Sequence, residues 1–175
     1  MSNKVYVGID NGVSGSIGII APRYEGSCYV DNVIYVKTPV KKEQNYTKKE
    51  QTVTRIVGNK LFELFTPYLN QEVKVLLERP MVNPRHFYAT QSAVRALEAT
   101  LIVLEKCNFS YEIVDSTQWQ NELLPEYWEE KLVEGELLKP VSLAIGKKLF
   151  PQVDFTGFKD ADGILLAEHC RRKYP

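Results

Sequence analysis

Residues 5–37 hold three apolar, β-branched runs, Val5 to Asp10, Ser16 to Ala21 and Cys28 to Lys37, separated only by the short turns NGVSG and PRYEGS. Strands joined this tightly must pair antiparallel, because a parallel pairing needs a crossover of a dozen or more residues. The chain therefore opens as a three-stranded meander. Its rhythm then changes. TVTRIVGNKLFELFTPYL sets Val53, Ile56, Val57, Leu61, Leu64 and Phe65 at helical spacing, ending near Pro67. EVKVLLERP reads as a fourth, largely apolar strand that ends at Glu78 and is stopped by Pro80. Residues 88–107 carry the longest helical pattern, YEIVD is a fifth strand, and Ser116 is placed to cap TQWQNELL. Two further helices are expected, over residues 139–149 before Pro151 and from Asp160 to Arg172.

The order β-β-β-α-β-α-β-α-α, with an acidic insertion around residues 125–136, implies a five-stranded mixed sheet covered by helices. Three strands are antiparallel, and two more return through helical crossovers. This α/β arrangement is that of the ribonuclease H-like fold, in which the first and fourth strands are neighbours. Asp10 and Glu78 are then expected at the same edge of the sheet. A chain of 175 residues accommodates this as one domain over residues 1–175.

No run of ~18 apolar residues suggests a membrane helix. MSNK leads into the first strand without the organisation of a signal peptide, so a cytoplasmic protein with no membrane partner is expected. Cys28, Cys107 and Cys170 are odd in number, far apart and outside any CxxC pattern, which leaves neither a disulfide framework nor a zinc site to read. Charge balances at 22 basic and 22 acidic residues, which argues against coating nucleic acid through bulk electrostatics. The balance hides a segregation. Residues 37–60 carry Lys37, Lys41, Lys42, Lys48, Lys49, Arg55 and Lys60 against Glu43 and Glu50, while residues 126–136 carry five glutamates and one lysine.

Four carboxylates need explaining. Asp10 ends the first strand, Glu78 ends the fourth, and Asp160 and Asp162 stand in FKDADGILLAEH at the start of the last helix. Singly, each has an ordinary role open to it, as turn former, strand-end charge, helix cap or first-turn acid. As a set they are harder to explain that way, since LLE places a carboxylate at the end of a buried strand, where an unpaired charge costs several kcal/mol. A divalent cation is the natural partner. Mg²⁺ or Mn²⁺ takes oxygen ligands, and two ions about 4 Å apart stabilise the attacking water and leaving oxygen of a phosphodiester.

With these residues in view, VGIDNGVSGSIGII resembles the opening strand and turn of RuvC-type Holliday junction resolvases. LLERP resembles their second acidic strand and DADGILLAEH their closing Asp-Ala-Leu helix, and SAVRALEATLIVLE and YEIVDSTQWQ fall in family order. The likeness spans nearly the whole chain and looks most like phage-encoded members. It implies a Mg²⁺- or Mn²⁺-dependent endonuclease that resolves four-way or other branched DNA junctions by paired hydrolysis, leaving 5′ phosphate and 3′ hydroxyl. Asp10, Glu78, Asp160 and Asp162 would be its catalytic and metal-holding residues, two ions would serve each site, and no small-molecule cofactor is implied. The chain departs from the pattern in three places. Asn11 stands where the family has proline. Lys159 lies three residues before Asp162, where a fourth acid is common, so that Asp160 must substitute. Trp119 and Gln120 stand where a basic residue is common.

Contacts with DNA are expected at RPMVNPRHFY, through Arg79 and Arg85 to phosphates and through Phe87 or Tyr88 wedged into an opened junction centre. Lys41, Lys42, Lys48 and Lys49 form a second candidate surface. A homodimer through the helix at 88–107 is expected, with Val94, Leu97, Leu101 and Leu104 against the sheet and Ala89, Ala93, Ala96, Ala99 and Val103 against a second copy. Other readings stay open. A related ribonuclease H-like nuclease acting on RNA or RNA-DNA hybrid would use the same carboxylates, and a non-enzymatic nucleic-acid-binding module would use them as caps and turns. An actin- or sugar-kinase-like ATPase shares the Gly-Ile-Asp opening but needs a second copy of the fold, for which the chain is too short. His86 and His169 stand in no Ser or Cys nucleophile pattern.

Overall fold

The computed structural model describes residues 4–25, 28–45, 52–125 and 135–175. Strands β1 (Lys4–Ile9), β2 (Ser16–Glu25) and β3 (Cys28–Lys37) form the expected meander. A hairpin of β4 (Val40–Gln44) and β5 (Thr52–Ile56) follows, then α1 (Gly58–Phe65), β6 (Glu72–Glu78), α2 (Phe87–Lys106) and β7 (Ser110–Val114). Helices α3 (Ser116–Leu123), α4 (Gly135–Leu149) and α5 (Asp162–Lys173) close the chain. The main sheet has the order β3-β2-β1-β6-β7, antiparallel across β3, β2 and β1 and parallel across β1, β6 and β7. This is the mixed α/β sheet of the ribonuclease H-like fold.

Side-chain alternation along the strands makes two cores. Val5, Val7, Ile9, Ile17, Ile19, Val75 and Leu77 face one way, onto α1, α2 and β5 through Leu61, Phe65, Val103 and Leu104. Tyr6, Ile20 and Leu76 face the other, onto Trp119, Leu123 and the α5 residues Ile164, Leu165 and Leu166. The second half of β6 is buried on both faces, which is why Val75, Leu76 and Leu77 are successive apolar residues rather than an alternating pattern.

Three glycines set the depth of the second core. A Cβ on Gly8 would lie 2.2 Å from the backbone nitrogen of Ala167, one on Gly18 would lie 2.4 Å from the Cα of Ile164, and one on Gly163 would lie 2.6 Å from the carbonyl oxygen of Ser16. The first turns of α5 therefore press directly on the backbones of β1 and β2. Gly8→Ala is expected to push α5 off the sheet and destabilise the fold at the upper end of the roughly 1–3 kcal/mol typical of overpacking. Denaturant unfolding measures this, and a loss of a few tenths of a kcal/mol would contradict the close approach.

The structure corrects four local expectations. The helix read from Val53 begins only at Gly58, because the β-branched TVTRI pairs with β4 in the register Val40↔Ile56 to Gln44↔Thr52. The helical spacing of Val53 and Ile56 is outweighed by the ladder hydrogen bonds that the preceding polar segment supplies. The cap position of α3 is Asp115 rather than Ser116, and the Asp115 N–H donates to Gln118 Oε1 at 3.3 Å. The last helix begins at Asp162, leaving Asp160 in the turn before it. On α2 the small-residue stripe turns inward as well. Leu104 is buried as expected and Leu97 and Leu101 pack half-buried against the core, but Ala96 and Val103 are also buried within the chain with Thr100, whereas Val94 is 44 % exposed. The small residues face inward because α1 and β5 approach α2 closely on that side.

Candidate active site

Asp10 directly follows β1, and its N–H donates to the Ser16 carbonyl at 3.0 Å, closing the turn that leads into β2. A Cβ on Gly15 would lie 2.1 Å from the Asp10 carbonyl oxygen, so this tight closure requires glycine. Parallel pairing of β1 with β6 sets Ile9 opposite Leu77, which carries Asp10 and Glu78 out of the same end of adjacent strands. The close seating of α5 then brings its start over Asp10. Carboxylate oxygens of Asp10, Asp160 and Asp162 all lie within 4.8 Å of one another.

The surroundings hold this cluster in place. Buried Ser142, on α4, donates its hydroxyl to Asp162 Oδ1 and accepts the Ala161 N–H at 3.0 Å. One turn earlier on the same helix, Lys139 Nζ lies 3.3 Å from Asp160 Oδ2. The Tyr35 hydroxyl donates to the Asp160 carbonyl at 3.0 Å and stands 3.0 Å from Ser16 Oγ, which accepts the Gly163 N–H at 3.2 Å. Glu78 lies outside the 4.8 Å set. Its Oε2 accepts the indole N–H of fully buried Trp119 at 3.1 Å.

Burial and crowding push these carboxyls toward their neutral forms. Asp10 is raised well above its ordinary range by burial, then by the charges of Glu78, Asp162 and Asp160, with Lys139 opposing. Burial lifts Glu78 to about 7 against the lowering effect of the Trp119 hydrogen bond. Burial also lifts Asp162 to about 6 against the Ser142 hydrogen bond. Such a set of hard oxygen donors, facing one ammonium among the described residues, fits a divalent cation such as Mg²⁺ or Mn²⁺. The sequence held little sign of Trp119, Ser142, Lys139 or Tyr35. The one clue was Ser142, a lone hydroxyl inside the apolar run VSLAI.

Trp119→Phe keeps most of the ring and removes the N–H. Without that donor the Glu78 carboxylate loses a stabilising contact, so its titration in metal-free protein is expected to move above about 7. Carboxyl-carbon NMR reads the midpoint, and an unchanged value would show that the indole does not hold the charge.

The other sequence candidates lie at varied distances from this chemistry. Arg79 is tied to the end of β7, its guanidinium 3.2 Å from Asp115 and its N–H donating to the Val114 carbonyl at 2.8 Å. Beyond it the loop is braced by Asn83, whose Oδ1 accepts the Arg85 N–H at 3.0 Å and whose carbonyl accepts the Thr90 hydroxyl at 2.9 Å. Phe87 and Tyr88 stand 64 % and 77 % exposed with their rings edge-on at 5.6 Å, and neighbouring Met81, not singled out in the sequence, is 84 % exposed. Lys41 is paired with Glu43, which also binds Arg55 at 2.7 Å, and Lys42 is exposed. Lys48, Lys49 and most of the acidic insertion lie outside the described residues. His169 Nδ1 meets Glu122 Oε2, away from the acid cluster. No described helix is long and apolar enough to cross a membrane.

The chain has the ribonuclease H-like fold, with three carboxylates clustered at one edge of its sheet. Among solved structures it is similar to Thermus thermophilus RuvC, with 14 % identity, a TM-score of 0.53, and coverage of 93 % of this chain and 90 % of that one. A structure of T. thermophilus RuvC in complex with a Holliday junction substrate matches with a TM-score of 0.55 at 14 % identity, covering 94 % and 90 % of the two chains. No protein-family model and no curated protein matches the sequence.

Proposed function

We propose that this chain is a divalent-metal-dependent endonuclease that resolves four-way or other branched DNA junctions. The observation that carries the reading is the convergence of Asp10, Asp160 and Asp162 within 4.8 Å at the edge of a RuvC-like fold, with Glu78 on the adjoining strand end. These residues would hold Mg²⁺ or Mn²⁺, with room in the charge balance for two ions. Bound there, such ions supply Lewis-acid stabilisation of the scissile phosphate and lower the pKa of the attacking water. The carboxylates orient that chemistry, Ser142 and Tyr35 fix the turn that carries two of them, and Lys139 offsets one negative charge as the phosphate approaches. Paired incisions leave 5′ phosphate and 3′ hydroxyl.

DNA would meet the loop after Glu78. Arg79, Arg85, Lys41 and Lys42 offer phosphate contacts, and Phe87 and Tyr88 offer exposed rings. Phe87→Ala and Tyr88→Ala are each expected to weaken junction binding by the roughly 1–3 kcal/mol of one base–aromatic stack, without lowering the melting temperature. Fluorescence anisotropy checks this, and wild-type affinity in both variants would make the loop a connector only. A second copy would dock through the exposed flank of α2 around Val94, placing two sites about a twofold axis.

The test is incubation of the purified protein with four-way junction, replication fork, duplex and RNA-DNA hybrid, in Mg²⁺ and in Mn²⁺, with sedimentation of the protein alone and on the junction. Symmetric nicking of the junction by a dimer supports the reading. Preferential cutting of the hybrid supports the ribonuclease alternative, and no cutting of any substrate supports a binding module.

A further inference from the structure

A groove of about 510 Å³ separates the β4–β5 hairpin from one flank of α2. Val53, Ala96 and Ala99 give it an apolar floor, and Thr54, Gln91 and Ser92 line its walls with hydroxyl and amide groups. Two guanidiniums, Arg55 and Arg95, face one carboxylate, Glu98. Arg55 is engaged by Glu43 at 2.7 Å, whereas Arg95 has no ion-pair partner among the described residues. The exposed ring of Tyr88 stands at the rim.

The groove borders the turn that follows Asp10, although none of the four acids lines it. Val13, which lines it, belongs to the turn that Asp10 opens, and Asn11 in the same turn donates Nδ2 to the Ala93 carbonyl of α2 at 3.2 Å. The α2 wall and the carboxylates are therefore tied together. Exposed Val94 of α2 does not line the groove.

Size and chemistry select the occupant. The volume falls within the roughly 300–1,000 Å³ of small-ligand sites, which suits one nucleotide. An apolar floor takes a base face, hydroxyls and an amide take a base edge, and an unpaired guanidinium takes a phosphate. We propose that this groove receives a single unstacked nucleotide of the strand whose neighbouring phosphate lies at the acid cluster, with Arg95 on its phosphate and Tyr88 against its base. The proposal rests on the nuclease reading and names where that substrate's strand runs.

Four-way junctions carrying one 2-aminopurine, moved position by position about the branch point, test it in Ca²⁺ with wild type, Arg95→Glu and Thr54→Trp. Unstacking into the groove is expected to brighten the probe at one position per strand in wild type. Both variants are expected to lose that signal, keep the wild-type melting temperature, and cut roughly tenfold more slowly in Mg²⁺, the scale of one lost stacking or phosphate contact. Should Thr54→Trp fail to fold, Arg95→Glu decides. Wild-type cutting of the junction with no brightened position, or with brightening unchanged in the folded variants, overturns the groove while leaving the nuclease reading intact. Failure of the wild type to cut any branched DNA overturns the nuclease reading itself.

Discussion

Asp10→Asn is expected to slow cleavage of branched DNA by roughly a hundred- to a thousandfold, the scale on which a single preorganised electrostatic contact acts in a transition state. Junction affinity in Ca²⁺ should change little, because the carboxylate touches the metal rather than a run of phosphates. The same substitution should raise the melting temperature of metal-free protein at pH 8. Asp10 is raised well above its ordinary range by burial and by Glu78, Asp162 and Asp160, so its ionised form is disfavoured in the metal-free fold. Asn mimics the neutral form at similar volume. Loss of activity with a gain in stability separates a functional carboxylate from a structural one, whose removal would lower both. Wild-type cutting by this variant would end the metal-site reading.

The second large effect is a dependence of stability on pH that divalent metal reverses. Glu78 and Asp162 titrate at about 7 and about 6 in the fold against ordinary values of 4.5 and 3.8. A raised folded-state pKa contributes stability that is fully present below the ordinary value and is lost as pH climbs through the folded value. Metal-free protein should therefore weaken between about pH 4 and pH 7, by up to about 1.4 kcal/mol per pH unit for each group titrating. Glu112 is held low chiefly by its hydrogen bond from Lys173, so its own contribution is complete above its ordinary value of 4.5. On the proposed reading Mg²⁺ would bind the ionised carboxylates, so at pH 8 a concentration one hundred times its Kd should add about 2.7 kcal/mol, and at pH 5 far less, where protons compete. Thermal melts at pH 5, 6.5 and 8, in chelator and in Mg²⁺, give the comparison. A chelator profile that rises across the interval, or equal Mg²⁺ effects at both ends, would contradict the electrostatic account.

Much of this architecture is legible along the chain because its determinants are local. Turns too short for a crossover force the meander, and the successive apolar residues Val75, Leu76 and Leu77 announce a strand end buried on both faces. Strand ends then place Asp10 beside Glu78, since parallel neighbours end together. Where two local signals compete, sequence alone misjudges. TVTRI satisfies both a helical and a strand spacing, and only the availability of residues 40–44 as a pairing partner decides between them. The stripes of α2 are likewise both apolar, and how far each turns inward depends on how near α1 and β5 come.

By itself, then, the sequence determined the pairing sense of the five strands of the main sheet and the four acids at their ends and before the last helix. Tertiary structure alone decided how those acids meet. Backbone-to-backbone contact at Gly8, Gly18 and Gly163 lowers α5 onto the sheet, which draws Asp160 and Asp162 to Asp10. Residues remote in sequence then complete the site, as Trp119 turns Glu78 aside, Ser142 orients Asp162, and Lys139 meets Asp160. The reason is physical: periodicity records which face of an element is apolar, whereas the distance between two elements depends on the side chains of both at once.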